Sequence, residues 1–225
     1  TTDINNDGRL DLFVSNDTVR NFLFVNRGRD ASGRIRWEEI GVKAEVSYSD
    51  DGKERSGMGV DAADFNADGW QDLFVSNIDH ELFSLYQNRG NETFRDLAKS
   101  ESIGRATRLL SGWGMKFFDF NNDSHVDLIL ANGHPNDMIQ KYTPAVSYRQ
   151  PLRLFEQRNT RFRDVSLEAG PAFQAPYSAR GLAVGDYDND GLVDVLVNVN
   201  GGAPLLLRNR SGADNNWIGL KLEGT

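Results

Sequence analysis

The chain has 225 residues, 39% of them hydrophobic, which is enough for a substantial core and excludes collagen-like and wholly disordered chains. Its 25 basic and 33 acidic residues leave a net charge of −8, which argues against a nucleic-acid binder that works by neutralising phosphates. Cysteine is absent, which removes disulfides and thiolate metal sites, and no apolar run approaches the roughly 18 residues that a membrane helix needs. The acids are uneven in kind: 23 are Asp and only 10 Glu, although Glu is the better helix former. Asp prefers turns and metal loops.

In chain order, the first element is the nonapeptide Asp3 to Asp11 (DINNDGRLD), which runs into the apolar segment Leu12 to Val14 and then a second strand-like run, Phe22 to Val25. A Gly-rich run, Gly57-Met58-Gly59-Val60, precedes a second nonapeptide, Asp64 to Asp72 (DFNADGWQD). Strand-like runs follow at Leu73 to Val75, Leu82 to Tyr86 and Thr93 to Leu97. The third copy begins with Gly112-Trp113-Gly114-Met115 and the loop Asp119 to Asp127 (DFNNDSHVD), followed by Leu128 to Leu130, Leu152 to Phe155 and Arg161 to Val165. The fourth comprises Gly181-Leu182-Ala183-Val184, the loop Asp186 to Asp194 (DYDNDGLVD), Val195 to Val197 and Pro204 to Leu207. The loops start 61, 55 and 67 residues apart.

Four short strands per unit, punctuated by turn residues and lacking sustained helical periodicity, predict an all-β fold of four-stranded β-propeller blades. The Gly-rich strand suits the crowded inner position of each blade. The units fall near 1–50, 51–105, 106–170 and 171–215, with a last strand or the start of another domain in 216–225. Propellers usually have more blades, so about four blades of a larger propeller are expected.

Oxygen side chains at loop positions 1, 3, 5 and 9, with Gly near the middle, suit a hard cation such as Ca²⁺. The expected side-chain ligands are Asp3, Asn5, Asp7 and Asp11; Asp64, Asn66, Asp68 and Asp72; Asp119, Asn121, Asp123 and Asp127; and Asp186, Asp188, Asp190 and Asp194. The position-7 carbonyls of Arg9, Trp70, His125 and Leu192 would add one more ligand each. An EF-hand would need Glu at position 12, where Val14, Val75, Leu130 and Val197 stand instead. A plain hairpin turn explains one such loop but not four that share an Asp at position 9. The third loop has Ser124 where the others have Gly, which predicts a strained or weaker site. Up to four structural calcium ions are expected. The loops hold 13 of the 33 acids and one of the 25 basic residues, Arg9, and the rest of the chain is basic by 24 to 20.

Gly-rich strand, D-x-[ND]-x-D-G-x-x-D loop and apolar strand together resemble the FG-GAP/VCBS repeat of integrin-like β-propellers. Asn132-Gly133-His134, Tyr148-Arg149-Gln150-Pro151, Arg180 to Asp186 and the closing Asn216-Trp217-Ile218-Gly219-Leu220-Lys221-Leu222 are similar to the ASPIC/UnbV (cartilage acidic protein-like) family. The closing run resembles the start of an ASPIC/UnbV domain. The resemblance implies a secreted, periplasmic or cell-surface protein that binds calcium and serves adhesion or assembly, with no catalytic residues.

Enzyme motifs fail on inspection. Gly57 to Ala62 fits G-x-G-x-x-A, but a metal-type loop follows where a dinucleotide fold needs a helix. His80-Glu81 begins H-E-x-x-H, yet Ser84 occupies the last position. The third unit departs in length: Asp127 to Gln157 spans 30 residues, against 16 for Asp72 to Asn88 and 15 for Asp194 to Asn209. The extra segment, about Gly133 to Arg149, offers His134, Asp137, Tyr142, Tyr148 and Arg149 to a protein or glycan partner. Two other functions compete with a binding scaffold: a polysaccharide lyase using Lys141 or Arg149 near a metal-bound uronate, and a structural subunit of a larger envelope or redox complex.

Overall fold

The computed structural model describes residues 1–211, 215–218 and 223. The expected ASPIC/UnbV-like run of 216–225 therefore lies largely outside the described residues. The first sheet joins β1 (Leu12–Val14), β2 (Phe22–Arg29) and β3 (Ile35–Glu39) in that order. The second joins β4 (Gly59–Ala63), β5 (Asp72–Ser76), β6 (Ser84–Asn88) and β7 (Phe94–Asp96), all antiparallel. A short helix, α1 (Ser102–Thr107), leads into β8 (Gly112–Phe118) and β9 (Asp127–Asn132). After the two-residue β10 (Gln150–Pro151), β11 (Arg153–Arg158) and β12 (Arg161–Asp164) complete the third sheet in the order β12-β11-β9-β8. β13 (Pro176–Tyr177) pairs with β10, and β14 (Ala179–Gly185), β15 (Asp194–Val199) and β16 (Leu205–Leu207) form the fourth sheet. Four antiparallel sheets of three or four strands, in chain order, match the expected blades.

Register repeats with the sequence. The ninth loop residue opens the second strand opposite the last residue of the Gly-rich strand: Asp72 faces Ala63, Asp127 faces Phe118 and Asp194 faces Gly185. In the first unit the isolated pair Thr2 and Asp11 holds the same place, with Asp11 N donating to Thr2 O at 2.7 Å. The glycines of β4 and β8 are dictated by close approach. A Cβ on Gly59 would fall 1.9 Å from the carbonyl oxygen of Trp113, and one on Gly114 would fall 2.6 Å from the carbonyl oxygen of Arg180. The inner strands of successive sheets thus touch through their backbones.

Between successive sheets lie three apolar cores. Ile4, Phe13, Leu73, Tyr86 and Phe94 belong to the first; Phe65, Phe74, Phe117, Phe155 and Phe162 to the second; Ile129, Leu154, Val195 and Val197 to the third. Alternation along the strands aims these side chains between sheets. The helix α1 went unread in the sequence because only six residues form it; Ile103 anchors it in the second core.

Candidate metal centres

The four nonapeptides adopt one conformation, set by backbone donors on the loop's own carboxylates. The first Asp accepts two amides: Asp64 takes Asp68 N at 3.0 Å and Gly69 N at 2.7 Å, Asp119 takes Asp123 N at 3.1 Å and Ser124 N at 2.8 Å, and Asp3 and Asp186 repeat the pattern. The fifth residue accepts the amide of the seventh, as in Asp7 with Arg9, Asp68 with Trp70, Asp123 with His125 and Asp190 with Leu192, at 2.9 to 3.0 Å. The ninth Asp reaches back to the amide of position 2, Asp11 to Ile4 at 2.9 Å and Asp72, Asp127 and Asp194 to Phe65, Phe120 and Tyr187 at 3.2 Å.

Two positions in each loop are left-handed. Position 6 is Gly in three copies (Gly8, Gly69, Gly191) and Ser124 at φ 67° in the third. Position 4, which composition alone did not mark, is also left-handed, at Asn6, Ala67, Asn122 and Asn189 with φ of 55° to 58°. Asn tolerates this conformation better than other side chains, and Ala67 and Ser124 bear its strain.

The ninth-position carboxylates are almost wholly shielded: Asp11, Asp72 and Asp127 are 0% exposed and Asp194 is 1%. Burial, reinforced by the neighbouring loop carboxylates, pushes Asp72 and Asp127 up to about 7 against the lowering effect of their backbone hydrogen bonds, and raises Asp11 as well. Carboxylate oxygens of Asp119, Asp123 and Asp127 lie within 4.8 Å of one another, as do those of Asp186, Asp188 and Asp194. Two position-3 oxygens, Asn5 Oδ1 and Asp188 Oδ1, are buried without a hydrogen-bond partner. Clustered oxygen donors and orphaned buried acceptors fit a hard cation, and the absence of Cys and near-absence of His at these loops disfavours softer metals.

Side chains at position 7 serve the loop rim. Arg9 is ion-paired with Asp7, His125 Nδ1 lies 3.1 Å from Asp123, and Trp70 is half-buried with its ring against Gly90. Leu192 is likewise half-buried. The carbonyls of these four residues are the part of position 7 that a cation would use.

A set of residues that sequence reasoning missed fastens the loops to one another. Asn88 gives its backbone N–H to Asp72 at 2.7 Å and its side-chain amide to Ile4 O, in the preceding unit's loop, at 2.8 Å. Gln157 does the same with Asp127 and Phe65 O, and Asn209 with Asp194 and Phe120 O. Asn26 has the backbone bond to Asp11. Sequence spacing aligned Asn88, Gln157 and Asn209 as the ends of corresponding spans but gave them no role, because the carbonyl each one reaches lies in the preceding unit. Glu92 accepts from Asn5 Nδ2 at 3.0 Å and is held by Arg27, which leaves Asn5 Oδ1 turned inward.

The long connection of the third unit closes on itself, with Gly133 bridged to Arg149 and Val146 buried beneath it. His134 is turned inward, its Nε2 2.9 Å from Asp79 Oδ1, so it braces the connection and presents nothing to a partner. Asp137, Tyr142 and Arg149 are exposed, Tyr142 at 75%, and Tyr148 is half-buried with Asn200 at its hydroxyl. Arg149 stands at the far end of β9 from the third loop, and five to six residues of strand make roughly 18 Å. That distance separates the backbone of Arg149 from the carboxylates of the third loop.

The FG-GAP-like repeat matches residues 3–75, 64–130 and 144–197. Cartilage acidic protein 1 of Homo sapiens is 28% identical over 219 residues, 92% of this chain and 29% of that protein. The Xenopus tropicalis protein of the same name is 28% identical over 224 residues, and that of Mus musculus 27% over 219, each covered to 30%. The chain thus spans about three-tenths of the length of these relatives. With repeat matches over most of its residues and the blade register repeating alongside them, the chain belongs to the FG-GAP-like repeat family.

Proposed function

We propose that each loop holds one calcium ion and that the protein is a non-catalytic, calcium-stabilised scaffold for binding or assembly outside the cytosol. The observation that carries this reading is the fourfold repetition of one carboxylate-lined loop around a fully buried ninth-position Asp. Positions 1, 3, 5 and 9 would supply side-chain oxygens and position 7 a carbonyl, in all four copies. When bound, the ion would neutralise carboxylates that otherwise repel one another, and would satisfy Asn5 Oδ1 and Asp188 Oδ1. The chain's own contribution is the preformed cradle of backbone hydrogen bonds. Relatives named for cartilage support a location outside the cytosol.

With free calcium at about ten times Kd, each site would add about 1.4 kcal/mol to stability. Calorimetry on metal-free protein is expected to find up to four calcium ions per chain, and chelation to lower Tm by about 10 °C or more. An unchanged Tm on chelation would overturn the structural role. Exposed Tyr142 and neighbouring Asp137 and Arg149 make the third unit's connection the proposed partner surface, for a protein or glycan.

A further inference from the structure

The loops also meet one another directly, and there the three boundaries differ. In the first loop the left-handed Asn6, at position 4, donates its side-chain amide to Gly69 O, position 6 of the second loop, at 2.9 Å. In the third loop Asn122 does the same to Gly191 O, position 6 of the fourth, at 3.1 Å. Between the second and third loops this bond is missing. Ala67 bears the same left-handed backbone but has no side-chain donor, and no hydrogen bond among the described residues reaches Ser124 O. The fastening amides Asn88, Gln157 and Asn209 do not produce this difference, because they occur at all three boundaries and end on a position-2 carbonyl.

The loop-to-loop bond meets a peptide group that positions ligands of the receiving loop. Gly69 O and Trp70 N belong to one peptide, and Trp70 N is held at 2.9 Å by Asp68, the fifth-position carboxylate. Gly191 O and Leu192 N are likewise one peptide, held at 3.0 Å by Asp190. The carbonyl expected to reach the ion, that of Trp70 or Leu192, is the next along the chain. In the giving loop, position 4 stands between two expected ligands, Asn6 between Asn5 and Asp7, and Asn122 between Asn121 and Asp123. One hydrogen bond therefore ties the backbone between two ligands of one loop to the peptide that sets two ligands of the next. Fixing the geometry of either loop lowers the cost of fixing its neighbour.

We propose that the four sites work as two coupled pairs, the first loop with the second and the third with the fourth, with a break between the second and the third. The inference rests on the calcium reading of the loops and adds its regulation. Within a pair, an ion in one loop tightens the other, and the effect is reciprocal. Each pair then fills over a narrower range of calcium than two independent sites would. The break comes from one residue, Ala67, so the pairing is a property of this chain's sequence and not of the repeat in general.

Nuclear magnetic resonance on the whole isotope-labelled chain, titrated with calcium chloride from the metal-free form, reads each loop separately. The position-6 amides of Gly8, Gly69, Ser124 and Gly191 serve as reporters, because each donates to the first Asp of its own loop. Asp68→Asn keeps an oxygen for Trp70 N and removes a ligand charge. It is expected to weaken the second loop directly and the first by about fivefold, with the third unchanged. Asn6→Ala gives position 4 of the first loop the residue that the second already carries, and should abolish the effect of Asp68→Asn on the first loop. Ala67→Asn supplies the missing donor, so loss of the second site should then weaken the third. Should Asn6→Ala disturb its own loop, Asn122→Ala with Asp190→Asn gives the same reading at the third and fourth. Equal weakening of the first and third loops by Asp68→Asn, or coupling that survives both alanine variants, would overturn the pairing and leave the calcium sites in place. Amides that do not move with calcium would remove the calcium reading and the pairing together.

Discussion

Asp72 and Asp127 hold their protons up to about pH 7 in the metal-free fold because burial and the neighbouring loop carboxylates penalise the charged form. Unfolded, each would titrate near 3.9. Their protonated forms therefore favour the fold; that contribution is complete below about pH 4 and is lost as pH rises through about 7. Dialysed, metal-free protein is expected to melt at a lower temperature at pH 8 than at pH 5, and Asp72→Asn to reduce the difference. Saturating calcium should oppose the trend, since the ion takes the deprotonated loop. A second expectation at this scale concerns Ser124, the left-handed residue in the place of Gly8, Gly69 and Gly191. Ser124→Gly should stabilise the chain by about 1 kcal/mol, or roughly 2–4 °C in Tm, and tighten calcium at the third loop.

Among the elements, the loop and the strand behind it form one unit through the amide residue that touches both. Asn88→Ala and Gln157→Ala each remove a buried side-chain amide from a carbonyl of the preceding loop and should cost about 1–3 kcal/mol in chemical denaturation. Asn26→Ala is the control, because its side chain bonds only within its own unit, donating to Leu10 O at 3.4 Å and accepting from Gly28 N at 3.0 Å, and it should cost less. The repeat, the loop ligand set and the inner glycine strands were legible in the sequence because they recur at matching positions and each has a local physical reason. The fastening amides were not, because their partner is about 84 to 92 residues away and only the folded register joins them. His134 misled for a related reason. A polar residue in a long connection suggests exposure, and its pairing with Asp79 depends on two sheets meeting. Position 4 escaped because Ala67 carries no hint of a left-handed backbone.

Taken whole, the molecule is a row of sheets in which each is stabilised by its neighbours, so stability should fall off toward the ends. Hydrogen exchange is expected to be slowest in β5 and β9, whose residues are buried throughout, and faster in β16, whose residues are half-buried or exposed. Equal protection across the four sheets would contradict this gradient. The fastening amides also give the row a direction. Asn88, Gln157 and Asn209 each close on the loop of the unit before, so a loop emerging from the ribosome stays incompletely fastened until the third strand of the next unit has been made. Synthesis from the N-terminus would therefore mature the loops one at a time, each lagging its own translation by about 80 to 90 residues, or several seconds at typical elongation rates.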